Sequence, residues 1–491
     1  MNQYWILAAI LLPVAGGMLI PLLPFRKKTG MRIYTQAVVL AASYIVWRLI
    51  GNGTTQVFHV VHFVNDLSIS FKIDGMTMVF AGLISVLWPL ATLYAFSYME
   101  HEKHEKVFFM FYTMTYGVTL GIAFASDILS LYFFYELLTL VTLPLVMHTL
   151  TREAILASRK YLYYSIGGAA FALIGMIFIM IYGESFEFVM GGVMGAAMAG
   201  EHGGMLLWIY FLSFMGFGVK AAICPVSSWL PQAGVAPTPV TALLHAAAVV
   251  NAGAFAIIRL TYYSFGAEYL AGTWVQYACM GIAMFTIVYG CSRAVKETHI
   301  KRRLAWSTVS NLSYIVFGAV MMSPAGLTGA LSHFVMHGAI KMCAFLCAGA
   351  VIHQTGKNYV YEMDGMGRKM KIVFGCFAAS GLALMGVPGT AGFISKWNLT
   401  QAAVESGMPL AYGGVACLLA SAFLTALYMM SVVRRAFFVS RDTDLALSAQ
   451  VRDPEWRMCL PLIVCAAAAI LLGVVSGPLV AFFENVAIGI Y

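Results

Sequence analysis

The stretch GFGVKAAICPVSSWLPQAGVAPTPVTALLH at residues 216–245 places a lysine inside an apolar helix, shortly before a turn broken by prolines. A charged side chain at the centre of a bilayer costs about 2.5–3.5 kcal/mol on insertion scales. Because ion and substrate sites of transporters lie at such helix breaks, Lys220 indicates a functional site. The alternative is that Lys220 snorkels from a helix end, with its ammonium at the membrane surface.

The composition is that of a membrane protein. Of the 491 residues, 61% are hydrophobic and only 10% are charged, which excludes a water-soluble protein and predicts an all-α polytopic membrane protein. The nine cysteines form no CxxC pair and no Cys/His ligand spacing, so they are interpreted as small core residues. We therefore expect neither a cofactor nor a metal site in this chain.

Apolar runs of spanning length predict about fourteen transmembrane helices. The run at 369–404 is too long for one straight span and contains the sequence GVPGTAG, so we interpret it as one discontinuous helix. The predicted spans are 4–25, 31–51, 76–98, 107–125, 127–149, 160–183, 205–224, 239–262, 274–294, 303–322, 327–353, 369–404, 409–433 and 458–482.

Three further segments are interpreted from their composition. Residues 184–204 are rich in glycine and are predicted to form an outside loop or a re-entrant piece. Residues 436–457 mix acidic and basic side chains and predict an exposed cytoplasmic connection. The first helix is expected to be retained, because no basic residue precedes it and no clear cleavage site follows it.

The positive charges test the helix count independently. All but six of the 29 Lys and Arg residues lie in or beside the odd-numbered connections, which is the positive-inside bias. We therefore expect a multi-pass protein of the cell inner (plasma) membrane with both termini on the outer, periplasmic side. The net charge of +8 follows from this topology, so no nucleic-acid partner is needed. The six exceptions are Arg48, Lys72 and Arg259 on the outer side, and Lys220, Lys341 and Lys396 within the membrane.

A carboxylate lies within the apolar and aromatic segment LYFFYELLTLVTLP at residues 131–144. An opposed lysine within about 4–6 Å would keep both groups ionised, so Glu136 and Lys220 are predicted partners. Two interpretations stay open at this point. The pair is either part of a site or a structural ion pair that only fixes helix packing.

Polar residues continue through the second half of the chain. His245 lies on the eighth predicted helix, and His333, His337 and Lys341 follow on the eleventh at spacings of four, which keeps them on roughly one face. A zinc pair is disfavoured because the flanking residues include no carboxylate and the next residue on the face is a lysine. Any single histidine here is also compatible with a satisfied core position.

A line of groups that each give or take a proton is what proton conduction through a low-dielectric interior requires. A lysine after the break at Pro388 completes that line. The predicted proton relay is Glu136, Lys220, His245, His333, His337, Lys341 and Lys396. Lysine–proline pairs at corresponding places in the two halves also favour an inverted structural repeat.

Five longer motifs carry a family resemblance. They are LYFFYEL at 131–137, the block from Lys220 to His245 with APTPVTALLHAA at 236–247, RLAWSTVS at 303–310, HGAIK at 337–341 and GTAGFISKW at 389–397. These motifs resemble the antiporter-like proton-pumping subunits of respiratory complex I (NADH:quinone oxidoreductase), energy-converting membrane hydrogenases and Mrp-type cation/proton antiporters. The similarity covers roughly residues 70–435.

The resemblance implies fourteen helices with two inverted five-helix repeats, each containing a broken helix. The implied organisation is helices 1–3 at residues 1–106, a first repeat at 107–262, a second repeat at 274–433 and helix 14 at 458–491. It also implies that Glu136 is the switch carboxylate with Lys220 as its partner. His245 and Lys341 would be relay residues, and Lys396 the terminal lysine.

Two departures from the family pattern narrow the subtype. Asn251 occupies the place where one branch has a lysine, so His245 resembles the branch that includes the largest complex I antiporter-like subunit. The chain stops at Tyr491 without the long lateral helix that this subunit adds. The pattern therefore favours a hydrogenase-type, Mrp-type or other compact assembly over a standard complex I.

Three functional hypotheses remain open. The first is a proton-translocating subunit coupled to redox chemistry in other subunits, with no catalytic centre of its own. The second is an Mrp-type subunit that exchanges Na⁺ or K⁺ for protons. The third is a proton-coupled subunit that energises uptake of a solute such as inorganic carbon. All three predict other integral membrane subunits, the lipid bilayer and protons as partners.

Overall fold

A computed structural model describes residues 3–63, 67–100, 102–438 and 451–490 of the chain. Almost all of the regular structure in these residues is α-helical. The helices are α1 (Tyr4–Leu19), α2 (Lys28–Gly51), α3 (Gly75–Tyr98), α4 (Glu105–Phe124), α5 (Ile128–Val146), α6 (Arg152–Tyr182), α7 (Ala196–Lys220), α8 (Trp229–Ala233), α9 (Thr238–Ala246), α10 (Val249–Ile258), α11 (Ala267–Leu270), α12 (Trp274–Lys296), α13 (Ile300–Ala319), α14 (Pro324–Thr355), α15 (Lys371–Met385), α16 (Ala391–Glu405), α17 (Pro409–Phe437), α18 (Trp456–Val474) and α19 (Gly477–Ala487).

The predicted membrane spans are largely reproduced. Within the described ranges, eleven helices are long and apolar enough to cross a membrane. The three other predicted spans correspond to the short α1, to α13 with its basic first turn, and to the pair α15 and α16. The chain is thus a helical multi-pass membrane protein, whereas the count of fourteen spans stays a prediction.

The prediction of a loop over residues 184–204 is wrong for its second part, because α7 is helical from Ala196 onwards. Glycine lowers helix propensity by about 1 kcal/mol per residue, but tertiary contacts override this preference. One such contact is the hydroxyl of Tyr269, which donates to the carbonyl of Gly203 at 3.0 Å. The predicted connection at 436–457 is described only at its two ends, and 439–450 lie outside the described residues.

A two-stranded antiparallel hairpin, β1 (Phe58–His62) and β2 (Ser68–Phe71), was not predicted from the sequence. It joins the end of α2 to the start of α3. The carbonyl of Ser70 in β2 accepts a hydrogen bond from the backbone of Ser126 at 3.1 Å, and the rings of Phe71 and Phe134 are 5.6 Å apart. The hairpin is therefore attached to the beginning of α5.

Two helices are interrupted beside polar residues. The chain leaves helical geometry at Ala247 and Ala248, between α9 and α10, and the side-chain amide of Asn251 donates to the carbonyl of Ala246 at 2.9 Å. The second interruption, between α15 and α16, contains Gly386 and Gly389 with positive φ angles of 87° and 85°. It confirms the predicted discontinuity in residues 369–404.

A buried ion pair connects the start of α3 to the turn that follows α10. Arg259 opens a π-helical turn (Arg259–Phe265) and donates to both carboxylate oxygens of Asp74 at 2.7 Å. Asp74 caps α3 by accepting from the backbone of Thr77 at 2.9 Å. Arg259 is fully buried, which its sequence position did not predict, and its location on the outer side stays a prediction. Its guanidinium avoids the cost of burial by this bidentate contact.

Asp74 lies just outside α3, and its ionisation reflects opposing influences. Burial favours the neutral acid, but Arg259, Lys72 and the Thr77 backbone outweigh this effect and lower the pKa of Asp74 to about 2. A depressed folded pKa means that the ionised carboxylate stabilises the fold at neutral pH. This stabilisation is lost as the pH falls from the ordinary value of 3.8 towards about 2.

We predict that Asp74→Ala lowers the free energy of unfolding by about 3–5 kcal/mol, because it leaves the buried Arg259 guanidinium without its counter-charge. The matched control is Asp364→Ala, since Asp364 pairs with Arg435 at 3.1 Å and both side chains are partly exposed. That surface pair is expected to contribute about 0–1 kcal/mol. Thermal unfolding in detergent, followed by tryptophan fluorescence, measures both variants. Equal midpoints would contradict the prediction.

Candidate functional site

The break after α7 holds the first part of the site. Lys220, the last residue of α7, has its ammonium 3.6 Å from Oε1 of Glu136 on α5. The ammonium also donates to the carbonyl of Tyr135 and lies 3.4 Å from the centre of the Tyr135 ring. The predicted partnership of Lys220 and Glu136 is thus present as a contact. The position of Lys220 at a helix C-terminus adds the favourable field of the helix carbonyls.

The two members of this pair differ in exposure. The Lys220 side chain is 1% exposed and the Glu136 side chain is 28% exposed. The snorkelling alternative for Lys220 is therefore wrong, because its ammonium does not reach the molecular surface. Glu136 faces outwards from α5, and its Oε1 atom has no hydrogen-bond donor within this chain's described residues. The pair therefore extends from the protein interior to the surface.

Small residues bring α7 close to its neighbours. A side chain at Gly168 on α6 would meet the carbonyl of Gly216 at 2.7 Å, and one at Gly216 would meet the carbonyl of Gly168 at 2.6 Å. On the opposite side, a Cβ atom at Gly253 of α10 would clash with the backbone nitrogen of Ala221. The end of α7 is thus fixed between α6 and α10, which determines where the Lys220 ammonium lies.

His245 lies in the last turn of α9, immediately before the interruption. It is fully buried, and its ring is stacked on Phe345 of α14 with the centroids 4.5 Å apart. Neither ring nitrogen of His245 has a hydrogen-bond partner in the described residues. A buried polar atom without a partner is costly unless an ordered water molecule supplies the hydrogen bond.

The α14 residues form a second polar row, as their spacing predicted. The rings of His333 and His337 are stacked with centroids 5.6 Å apart, and His333 Nδ1 is 3.0 Å from the hydroxyl of Ser395 on α16. Both nitrogens of His337 are buried without a partner in the part of the chain that is described. Lys341 is fully buried and donates to Ser307 Oγ at 2.5 Å.

Lys396 reaches back across the interruption between α15 and α16. Its ammonium donates to the carbonyls of Leu384 and Met385 at 2.6 and 3.1 Å, which are free because α15 ends there. The ammonium also lies 5.4 Å from the centre of the Tyr314 ring, and His333 stacks on the same ring at 5.0 Å. Tyr314 therefore links the terminal lysine to the α14 row.

The predicted site residues thus form two groups. Glu136 and Lys220 form one group, and His245, His333, His337, Lys341 and Lys396 form a second group around α14. No direct hydrogen bond, ion pair or ring contact joins the two groups in the residues that the structure describes. A proton passing between them would need water. Within the same residues, no group of three or more His, Cys, Asp or Glu is arranged to hold a metal ion.

The sequence did not predict that one further charged residue is buried near the second group. Lys301 was counted with the basic connections, but it is only 6% exposed and donates to the carbonyl of Ala236 at 2.7 Å. It lies in the first turn of α13, three residues before Leu304, whose carbonyl accepts from Lys341 at 3.2 Å. A basic residue at the start of an otherwise apolar helix gives no sequence signal that separates a surface lysine from a buried one.

Comparison with known families identifies the fold and its relatives. The family model described as NADH:quinone oxidoreductase/Mrp antiporter, TM, matches residues 125–425. A second model, described as NADH-ubiquinone oxidoreductase (complex I), chain 5 N-terminus, matches residues 62–109.

Relatives and solved structures agree with these matches. NAD(P)H-quinone oxidoreductase chain 4-3 of Nostoc sp. is 27% identical over 475 residues, covering 92% of this chain and 81% of the relative. NAD(P)H-quinone oxidoreductase chain 4 1 of Picosynechococcus sp. is 28% identical over 483 residues, covering 95% of this chain and 88% of the relative. The Mrp complex from Dietzia sp. contains a chain with a TM-score of 0.86 and 20% identity, covering 99% of this chain and 97% of that one. A chain of an archaeal membrane-bound sulfane sulfur reductase has a TM-score of 0.85 and 22% identity over the same shares. At these identities, the two structures show the fold alone.

We predict that Gly253→Ala lowers the free energy of unfolding by about 1–3 kcal/mol, because the added Cβ atom would press on the backbone at Lys220 and Ala221. The control is Gly281→Ala on α12, where a Cβ atom would have no neighbour within 4 Å. Alanine there is expected to be neutral or to stabilise by up to about 1 kcal/mol. Unfolding is measured with a dye that fluoresces on reacting with newly exposed cysteines. A Gly253 variant as stable as the control would show that this close approach is not needed.

Proposed function

This chain belongs to the NADH:quinone oxidoreductase/Mrp antiporter transmembrane family, and we propose from this membership that it is a proton-translocating, antiporter-like subunit of a multi-subunit membrane complex. The family resemblance predicted from the motifs is thereby confirmed. Other integral membrane subunits are the expected partners, and redox chemistry in those subunits drives the translocation. The relatives named as quinone oxidoreductase chains support this form of coupling.

The observation that carries the proposal is the contact between a buried lysine and a partly exposed carboxylate at the break after α7. The Glu136 carboxylate stabilises the charged form of Lys220 while it lies at 3.6 Å. When Glu136 turns away or takes up a proton, the enclosed ammonium loses this counter-charge and releases its proton more readily. The pair therefore acts as a switch that couples an event at the surface to proton release inside.

The second group supplies the rest of the relay. A proton released by Lys220 would cross the water-dependent gap to His245, which can accept it on its unprotonated ring nitrogen. From there, Lys341, His337 and His333 lead along α14. Lys396 and His333 both lie against the Tyr314 ring, so the last transfer needs water around that ring. Each of these groups can exist with and without the transferred proton. The roles of these residues belong to the proposal.

The repeat organisation and the sidedness belong to the same proposal. Helix interruptions follow Lys220 in the first unit, 107–262, and precede Lys396 in the second, 274–433, as an inverted repeat requires. Residues 1–106 and 458–491 flank these units. The one-sided distribution of Lys and Arg supports a cytoplasmic location of the odd-numbered connections, with both termini on the outer side.

A second candidate function is exchange of Na⁺ or K⁺ for protons in an Mrp-type assembly. Its support is the matching family model, whose description names the Mrp antiporter beside NADH:quinone oxidoreductase. Both candidates use the same proton relay, and they differ in what the neighbouring subunits do. Mass spectrometry of the purified native complex distinguishes them, because quinone-reducing or hydrogenase subunits support the first and small hydrophobic antiporter subunits support the second.

We predict that Lys220→Ala and Glu136→Gln each reduce proton translocation at least tenfold while the complex still assembles, because each removes one half of the switch. Translocation is followed as dye-reported acidification of inside-out vesicles. The complex is energised by its electron donor or, where no donor is found, by a Na⁺ or K⁺ gradient. Native gels and immunoblots measure assembly.

The control is Glu153→Gln, since Glu153 is 62% exposed and pairs with Arg302 at the surface. It should translocate at the normal rate. Normal rates in both site variants would refute the switch. Normal rates together with reduced stability would identify the pair as a structural ion pair.

A further inference from the structure

The polar row on α14 continues past Lys341 towards the end of the helix. Phe345, Gly349 and His353 follow Lys341 along α14 at the same spacing of four residues. Phe345 stacks on His245, and Gly349 leaves room for two hydroxyl-bearing side chains, since a Cβ atom there would lie 2.7 Å from the hydroxyl of Tyr94 and 2.6 Å from Cβ of Thr238. His353 is exposed and lines a cavity. This row, which turns gradually around the axis of α14, thus runs from the inner relay to the basic side of the protein.

The cavity has a volume of about 430 Å³ and lies where α3 and α14 end and α18 begins. Its lining includes the titratable side chains of His353, Glu100, Asp453 and Glu455. Ser97 on its wall donates a hydrogen bond to Glu455. Titratable groups at the mouth of a cavity collect protons from the adjoining solution. By the charge distribution, this solution is the cytoplasm.

Hydroxyl groups continue inwards from the cavity. The ring of Tyr98 packs against His353 with the centroids 5.4 Å apart, and its hydroxyl accepts a hydrogen bond from Thr238 at 3.2 Å. Thr238 is the first residue of α9, the helix that carries His245. A hydroxyl group both donates and accepts hydrogen bonds, so a proton can be transferred along this contact when the two hydroxyls exchange donor and acceptor roles.

Lys301 lies at the inner end of this path. Its ammonium donates to the carbonyl of Ala236, two residues before Thr238, and Thr241 donates to the same carbonyl at 3.0 Å. Lys341 reaches Leu304, one turn further along α13. Lys301 makes no ion pair in the residues that the structure describes, so its charge is not fixed by a carboxylate. Its contacts thus place it beside the loop that leads to Thr238 and one turn of α13 away from the carbonyl that Lys341 binds.

We propose that this cavity is the cytoplasmic proton-uptake vestibule and that Lys301 is the residue that receives the proton from it, through the hydroxyls of Tyr98 and Thr238 and then through water. The inference rests on the proposed function and adds a relay residue and a route to it. Neutral Lys301 accepts a proton, its ammonium passes one proton to Lys341 or His245 across intervening water, and the amine is restored. No electron transfer and no second reactant are required.

The competing explanation is structural, because Lys301 also caps a carbonyl in the loop before α9. The two roles differ in what arginine can replace. Arginine keeps the positive charge and the hydrogen bond, but it does not release its proton. A structural lysine is therefore replaceable by arginine, whereas a relay lysine is not.

The first test compares Lys301→Met, Lys301→Arg and Lys296→Met in the assembled complex, with proton translocation measured in inside-out vesicles. Lys296 is exposed, ends α12 and serves as the matched control. We expect at least a tenfold loss of rate in both Lys301 variants, with normal assembly, and a normal rate in the control. A normal rate in Lys301→Arg would overturn the relay role.

A second test locates the vestibule. Gln354 lines the cavity, so Gln354→Cys provides a thiol there, with the native protein as the control for its own cysteines. A charged, membrane-impermeant methanethiosulfonate should slow translocation at least threefold when it reaches the cytoplasmic face, and not from the opposite face. No effect from the cytoplasmic face would overturn the vestibule. Failure of the relay itself is distinguishable, because Lys220→Ala would then also translocate normally.

Discussion

An ammonium group enclosed by apolar helices must be solvated by the protein itself, and this constraint organises the interior of this chain. Lys220, Lys301 and Lys341 are buried, Lys396 is half-buried, and each donates to a backbone carbonyl. In the described part of the chain, only Lys220 also has a carboxylate within ion-pair distance. Carbonyls accept hydrogen bonds from an ammonium and from a neutral amine alike, so they hold a lysine in either protonation state. The carboxylate makes one lysine different from the other three.

Those carbonyls become available because interrupted helices lie next to the continuous helix α14. α14 runs without a break from Pro324 to Thr355 and carries the polar row. Its neighbours α9 and α10, and α15 and α16, are interrupted, and interruption leaves carbonyl oxygens without intrahelical donors. Lys396 uses two of them at the end of α15. A rigid row of titratable groups is thus combined with neighbouring backbone that stays available for hydrogen bonding.

Much of the candidate site could be predicted because a charged group within an apolar membrane segment has a high free-energy cost. That cost singled out Lys220 and Glu136 as partners, and the spacing of four placed His333, His337 and Lys341 on one face. The same argument failed for Lys301 and Arg259, because both stand near the end of an apolar run, where burial and surface exposure leave the same pattern. The helical residues at the start of α7 and the β-hairpin depend on contacts with distant segments. Local propensity does not report such contacts.

The hydroxyl contact between Tyr98 and Thr238 has a consequence for ionic selectivity. The two oxygens are 3.2 Å apart, and the absence of a side chain at Gly349 leaves the space that Thr238 occupies. An alkali ion needs several oxygen ligands around it and cannot pass between two atoms already in contact. An excess proton needs only a rearrangement of the bond that is there. This contact therefore selects protons because only a proton can move by rearranging a hydrogen bond. Any sodium or potassium that the assembly transports would have to follow a different route.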